Sequence, residues 1–268
     1  MINKELVRMF IRRHLILSLV VSIGSGILAL GLTLLFPDTH LEDAAKISMG
    51  WPQIMKDLFG DPIHAFTDIY GWLNLQVFHI TFWAIFGVFA SLLASYIVAT
   101  EVEGKTIDTL LSCSITRSEV IVSRLIGLAM ILTLSIIPFF LGCLLGILIL
   151  GQPLQIDAIG AACLAGLFLF LVVAATTLLI SVYIPYQTPC LIITWGFFGF
   201  LFLFKEAITK LVPVLNNLAF LSPYHYYRTA DILLRQTYLL SDWVVLLCIF
   251  ISFSFLAALY FARRDIPL

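Results

Sequence analysis

The segment Ala99-Thr-Glu-Val-Glu-Gly-Lys-Thr106 satisfies the loose pattern of a phosphate-binding loop in which Ala stands for the first Gly. The chemistry of such a loop is anion cradling, with successive backbone N–H groups and a Lys gathered around nucleotide phosphates. Its context speaks against it here. A phosphate loop follows a buried strand and opens a helix, whereas a long apolar run precedes this segment, and Glu101 and Glu103 would bring two negative charges into the cradle. Nothing else in the chain resembles a nucleotide site, so ATP hydrolysis is not expected on this chain.

The other residues able to do chemistry are scattered. His14, His40, His64, His79 and His225 stand apart, none pairs with another at metal-binding spacing, and there is no HExxH. His79 lies about two turns into an apolar run, where a polar side chain either lines a path or rests neutral against a neighbouring backbone. Cys113, Cys143, Cys163, Cys190 and Cys248 occur singly, four of them inside apolar runs, and read as small packing residues. The apolar runs contain no Asp, Glu, Lys or Arg, which leaves little from which to build an ion-coupled transporter. A membrane-embedded enzyme would need converging polar groups, and only His79 is on offer.

The elements that must position these residues are membrane helices. A hydrophobic share of 61%, a charged share of 12% and a mean hydropathy of +1.06 exceed anything a soluble domain carries. A spanning helix needs about 20 mainly apolar residues, because hydrocarbon satisfies no backbone polar group. Six stretches meet or approach this: 15–36, 73–100, 125–150, 158–183, 186–204 and 243–262. The first is too long for a cleavable signal core and lacks a small-residue cleavage site after it, so it reads as a retained span. Pro185 and Pro189 divide the uncharged region between the fourth and fifth. The chain 1–268 is expected to form one all-α integral membrane domain.

Orientation follows the basic residues of the connections. With a cytoplasmic N-terminus, Lys4, Arg8, Arg12, Arg13, Lys105, Arg117, Arg124, Arg263 and Arg264 all lie inside, which is nine of the 15. Six spans then place both termini in the cytoplasm, in the cell membrane. Within residues 1–14, Ile2, Leu6, Met9 and Phe10 share one helical arc and Lys4, Glu5, Arg8 and Arg12 the other. The pattern predicts a helix lying in the interface, or else a positive flank that only sets topology. Outside, the apolar run 211–221 suggests a re-entrant helix before the last span. Small residues four apart, Ser22/Gly26, Gly142/Gly146 and Ala162/Gly166, allow close helix approach, within the chain or at a dimer seam.

In the cytoplasmic segment 101–124, Ile107, Leu110 and Leu111 fall at i, i+3 and i+4, so a short helix opening near Thr106 presents one apolar ridge. Such a ridge suits a groove on another protein. Arg117 and Arg124 follow, with forks able to meet carboxylates or headgroups.

Glu-x-Glu-Gly-Lys-Thr-Ile-Asp-x-Leu-Leu-Ser, followed by Ile-Thr-Arg, resembles the cytoplasmic segment of ABC transporter permeases of the export type. The matching residues are Glu101, Glu103, Gly104, Lys105, Thr106, Ile107, Leu110, Leu111, Ser112 and Arg117. Leu221-Ser-Pro-Tyr-His-Tyr226 and Phe261-Ala-Arg-Arg-Asp265 resemble the family's segment before the last span and its C-terminal end. Ser114 stands where the family commonly has Pro, which loosens the turn before Arg117. The resemblance implies a permease subunit of an ABC exporter, paired with a second copy or a sister permease and seated on ATP-binding subunits. ATP and Mg would be bound by those partners, no cofactor by this chain, and nucleic acid has no part. It also implies ATPase coupling through the segment around Thr106 to Ser112, and an external gate at Ser222, Pro223, Tyr224 and Tyr226. The alternative is a non-transporting membrane partner of an ATPase complex, an immunity or sensory subunit.

Overall fold

The computed structural model describes residues 3–36, 50, 67–104, 116–205 and 213–263. The described elements are helical. α1 (Lys4–Leu34), α2 (Ile69–Ser95), α4 (Arg117–Ile149), α5 (Ile156–Tyr183) and α8 (Leu240–Arg263) are long and apolar enough to cross a membrane. A short α3 (Ala99–Glu103) follows α2, the shorter apolar α6 (Gln187–Leu203) follows α5, and α7 (Thr229–Arg235) precedes α8. Between α6 and α7 lie 3-10 turns at Pro213–Leu221 and Pro223–His225. The protein is a multi-pass helical membrane protein.

α1 departs from expectation in its continuity. A separate interfacial helix over residues 1–14 is not seen as such: the helix runs unbroken from Lys4 to Leu34, capped by Asn3, whose side chain accepts from the Glu5 and Leu6 amides. The reason lies in α4. Phe10 packs over Gly127, where an added Cβ would sit 3.1 Å from the ring, so Leu6 and Phe10 are buried against protein. Met9, expected on the same arc, remains exposed.

The α1–α4 seam is built on the small residues. A Cβ on Gly26 would lie 2.7 Å from the Pro138 carbonyl oxygen, one on Gly142 would press into the Gly26 carbonyl, and one on Gly146 would meet Thr33 at 2.6 Å. Lipid is as apolar as a helix surface, so association here rests on close packing rather than on burial from water. The Ser22/Gly26 and Gly142/Gly146 pairs thus serve packing within the chain, and Gly166 does the same by receiving the Phe82 ring. α4 ends in a Schellman turn, with Gly151 at φ +66° and the Gln152 amide donating to the Ile147 carbonyl at 3.2 Å.

α5 is the most enclosed helix, and the core beside it is aromatic. Phe82 stacks on Phe139 with centroids 4.4 Å apart and meets Phe170 edge-on at 5.0 Å. Phe82 closes a π-helical stretch, Leu73–Phe82, within α2. Thr81 Oγ1 donates to the Gln76 carbonyl at 2.7 Å, five residues back, in keeping with that wider winding. π-turns are rare and usually brief, so ten residues of them need outside support. Tyr227 Oη supplies one part, donating to the Phe78 carbonyl at 3.0 Å, and Thr229 Oγ1 another, donating to Asn74 Oδ1 at 2.8 Å.

Candidate functional site

Two clusters hold the residues singled out above, one around α3 and one around the turn before α7. α2 stops at Ser95, inside the stretch expected as a single span to Thr100. The chain then bends at Val98 (φ −127°, ψ −59°) and re-enters a helix at Ala99. That bend turns Glu101 inward.

Glu101 is 3% exposed and Arg124 equally so. Arg124 Nη2 donates to Glu101 Oε1 at 3.2 Å, its Nη1 donates to the Ile97 carbonyl at 3.0 Å, and Arg13 of α1 donates to the same carboxylate oxygen. One carboxylate therefore joins α1, α3 and α4. Two charges out of water are tolerated only when paired and hydrogen-bonded; the two terminal nitrogens of the Arg124 fork meet both conditions, while its buried Nε has no hydrogen-bond partner among the described residues. Arg124 was expected at the edge of a loop. It lies inside α4 because that helix opens at Arg117, capped by Thr116, whose Oγ1 accepts from the Glu119 amide at 3.3 Å. Thr116-Arg-Ser-Glu119 is a capping-box sequence, a signal that would have placed this helix start.

Glu103 is exposed, and its Oε2 accepts from the Gln187 amide at 3.0 Å, the first residue of α6. A carboxylate at a helix N-terminus satisfies an orphan donor and complements the dipole. Gly104 ends α3. Arg117 Nη1 reaches the Phe261 carbonyl of α8 at 3.5 Å. Lys105, Thr106, Ile107, Leu110, Leu111 and Ser112, including the expected ridge, lie outside the described residues. The described residues on either side are fastened, through Glu103 to α6 and through Arg117 to α8.

The second cluster is the turn Ser222 to Tyr227. Ser222 is buried, its Oγ donates to the Leu201 carbonyl at 3.0 Å, and the same atom accepts from the Tyr224 amide at 3.3 Å. Pro223 sits at the first position of the 3-10 turn, where its missing N–H costs nothing. Tyr224 is buried among Trp83 (5.6 Å), Phe202 (5.4 Å) and Phe198 (6.3 Å). Trp83 stacks on Phe202 and meets Trp195. Tyr226 is half-buried with its ring against His225. His79, in the π-helical stretch, has its ring 5.7 Å from Phe202. The structure thus gathers Ser222, Pro223 and Tyr224 against α2 and α6, in an aromatic cluster whose α2 and α6 members spacing alone did not identify.

Arg228 fastens this turn to the start of α8. Its Nε lies 3.3 Å from Asp242 Oδ2 and donates to the His225 carbonyl at 3.2 Å, with Nη2 3.2 Å from His225 Nε2. Burial lowers the His225 pKa, the Arg228 and Lys205 charges lower it further, and Asp242 opposes them. The unfolded chain then takes up this proton more readily than the folded one, so the stability tied to neutral His225 is present above its ordinary value of about 6.5 and is lost as pH falls through the lowered one. Thermal stability of the purified protein is expected to fall from about pH 7 to about pH 5, and the fall should be smaller in His225→Gln. Equal falls in both proteins would remove His225 from the explanation.

Among the described residues no group of three His, Cys, Asp or Glu side chains could hold a metal ion. In comparisons with known proteins, no curated protein matches the chain significantly. A family model described as "ABC-2 family transporter protein" matches residues 7–266, nearly the whole chain.

Proposed function

The chain belongs to the ABC-2 family of transporter proteins, and from that premise we propose that it is the permease subunit of an ABC exporter, forming the substrate path while a separate ATP-binding subunit performs hydrolysis. Six spans with both termini in the cytoplasm, including α6, complete the topology. A second permease, identical or a sister, completes the path.

The observation that carries the coupling role is the fastening of α3. The stretch leading into Lys105 to Ser112 is anchored through Glu101 to α1 and α4 and through Glu103 to α6. A push on the ridge Ile107, Leu110 and Leu111 therefore reaches three membrane helices through short polar contacts. Thr106 and Ser112 bound the docking helix, and Arg117 returns the chain into α4. At the other end, Ser222, Pro223, Tyr224 and Tyr226 act as the external gate. Tyr224 closes onto Trp83 and Phe202, so opening requires separation of α2 and α6.

The test is copurification. Leu110→Asp together with Leu111→Asp puts charge where the proposed docking ridge would bury apolar surface on the partner, at least about 3 kcal/mol, and should weaken capture of the ATP-binding subunit roughly a hundredfold. Unchanged capture and unchanged coupling of ATP turnover to transport would refute the docking role. ATP-dependent substrate movement in vesicles containing the purified complex separates a transporter from an immunity or sensory partner.

A further inference from the structure

Lys4, Arg8 and Arg12 recur every fourth residue on α1, all exposed, and enter no ion pair among the described residues. Like charges at this spacing repel one another. Arg13, next in sequence, is paired with Glu101, so the unpaired stripe is a property of this one face. Beside it α1 and α4 enclose a groove of about 520 Å³ whose apolar wall includes Ile11, Ile126 and Met130. Glu5 lines a neighbouring groove on the other side of Arg8 and Arg12 and not this one.

Beyond the groove, α4 carries exposed Leu134 and Ile137 four and seven residues after Met130, on the same side of the helix. Charge at one end and an apolar track leading away from it along a membrane helix match the two halves of an anionic lipid. A water-soluble acidic protein would leave the apolar track unused. We propose that the α1–α4 groove binds one anionic phospholipid, its phosphate against Lys4, Arg8 and Arg12 and an acyl chain along Ile126 and Met130. With α1 packed on α4 through Gly127, the bound lipid would brace the α1 end that also carries Arg13. The cytoplasmic leaflet as the source follows from the orientation under Proposed function, whereas the groove itself is independent of any transport role.

The chain 1–268 is placed in nanodiscs of equimolar phosphatidylglycerol and phosphatidylcholine and released for native mass spectrometry. Retention of phosphatidylglycerol in preference to phosphatidylcholine is expected, weakened about fivefold per charge removed and roughly a hundredfold in the triple variant Lys4→Gln, Arg8→Gln, Arg12→Gln. The charge-preserving variant Lys4→Arg, Arg8→Lys, Arg12→Lys should retain the lipid, which separates charge from misfolding. Met130→Asp should lower retention with all three cations intact. Equal retention of both lipids, displacement by inorganic phosphate alone, or a triple variant that loses the ATP-binding subunit while keeping the lipid would each overturn the proposal. These membranes are symmetric and contain no ATP, so failure here leaves the permease reading standing, and failure of transport leaves the lipid site standing.

Discussion

Glu101→Gln is expected to destabilise the protein by about 3–5 kcal/mol, because Arg124 remains buried with its charge uncompensated. The loss is larger than that of a surface ion pair, which is typically worth about 1 kcal/mol or less. Arg124 is as buried as Glu101 and cannot swing to water, and Arg13 would then approach it as a like charge. In a chain of this size the melting temperature of the detergent-purified protein, followed by tryptophan fluorescence, should fall on the order of 10 °C. Adding Arg124→Met to Glu101→Gln should recover part of the loss, since no uncompensated Arg124 charge then remains buried. A single variant that melts with the wild type would show that the carboxylate does not hold the three helices together.

Gly142→Ala is the second large effect, from a single methyl group. The added Cβ would press into the Gly26 carbonyl and lie 3.2 Å from the Leu30 amide nitrogen. Both obstacles are backbone within one helix, so no side chain can turn aside and α1 must move as a unit. Overpacking of this kind costs about 1–3 kcal/mol or more, and the cost should rise with Gly142→Leu. Gly24→Ala, on the same pair of helices but with nothing within 4 Å of its Cβ, should be tolerated. Size-exclusion profile and melting temperature of the two alanine variants decide the matter; equal behaviour would mean that α1 and α4 are not held at this distance.

The long helices were legible because each is a run of apolar residues closed by charge, Gly or Pro, and lipid forces such runs to be helical. The small-residue pairs were legible as points of approach, though only the packing shows that Gly26 and Gly142 meet each other. The junction at Glu101 was not legible. Glu101 lies 88 residues from Arg13 and 23 from Arg124, distances at which no periodicity connects charges. A carboxylate next to a Gly-Lys-Thr reads as belonging to a loop, and it takes the bend at Val98 to turn it inward. The π-helical stretch was also hidden, since Leu73–Phe82 has the composition of an ordinary span and its winding depends on Tyr227 and Thr229, far along the chain. The aromatic partners of Tyr224 were hidden for the same reason. Rings suited to lipid and rings suited to packing are one residue class.

α1 and α4 meet near both ends of their seam as well as in its middle: Phe10 over Gly127, the backbones of Gly26, Pro138 and Gly142, and Thr33 against Gly146. From Phe10 to Thr33 the helix runs about 35 Å at about 1.5 Å per residue. Two rods held at both ends and between them have no pivot left, so they shift or turn as one beam. A displacement at the Arg13 end then arrives undiminished at the Leu32 carbonyl, where Trp72 Nε1 donates at 2.8 Å at the head of α2.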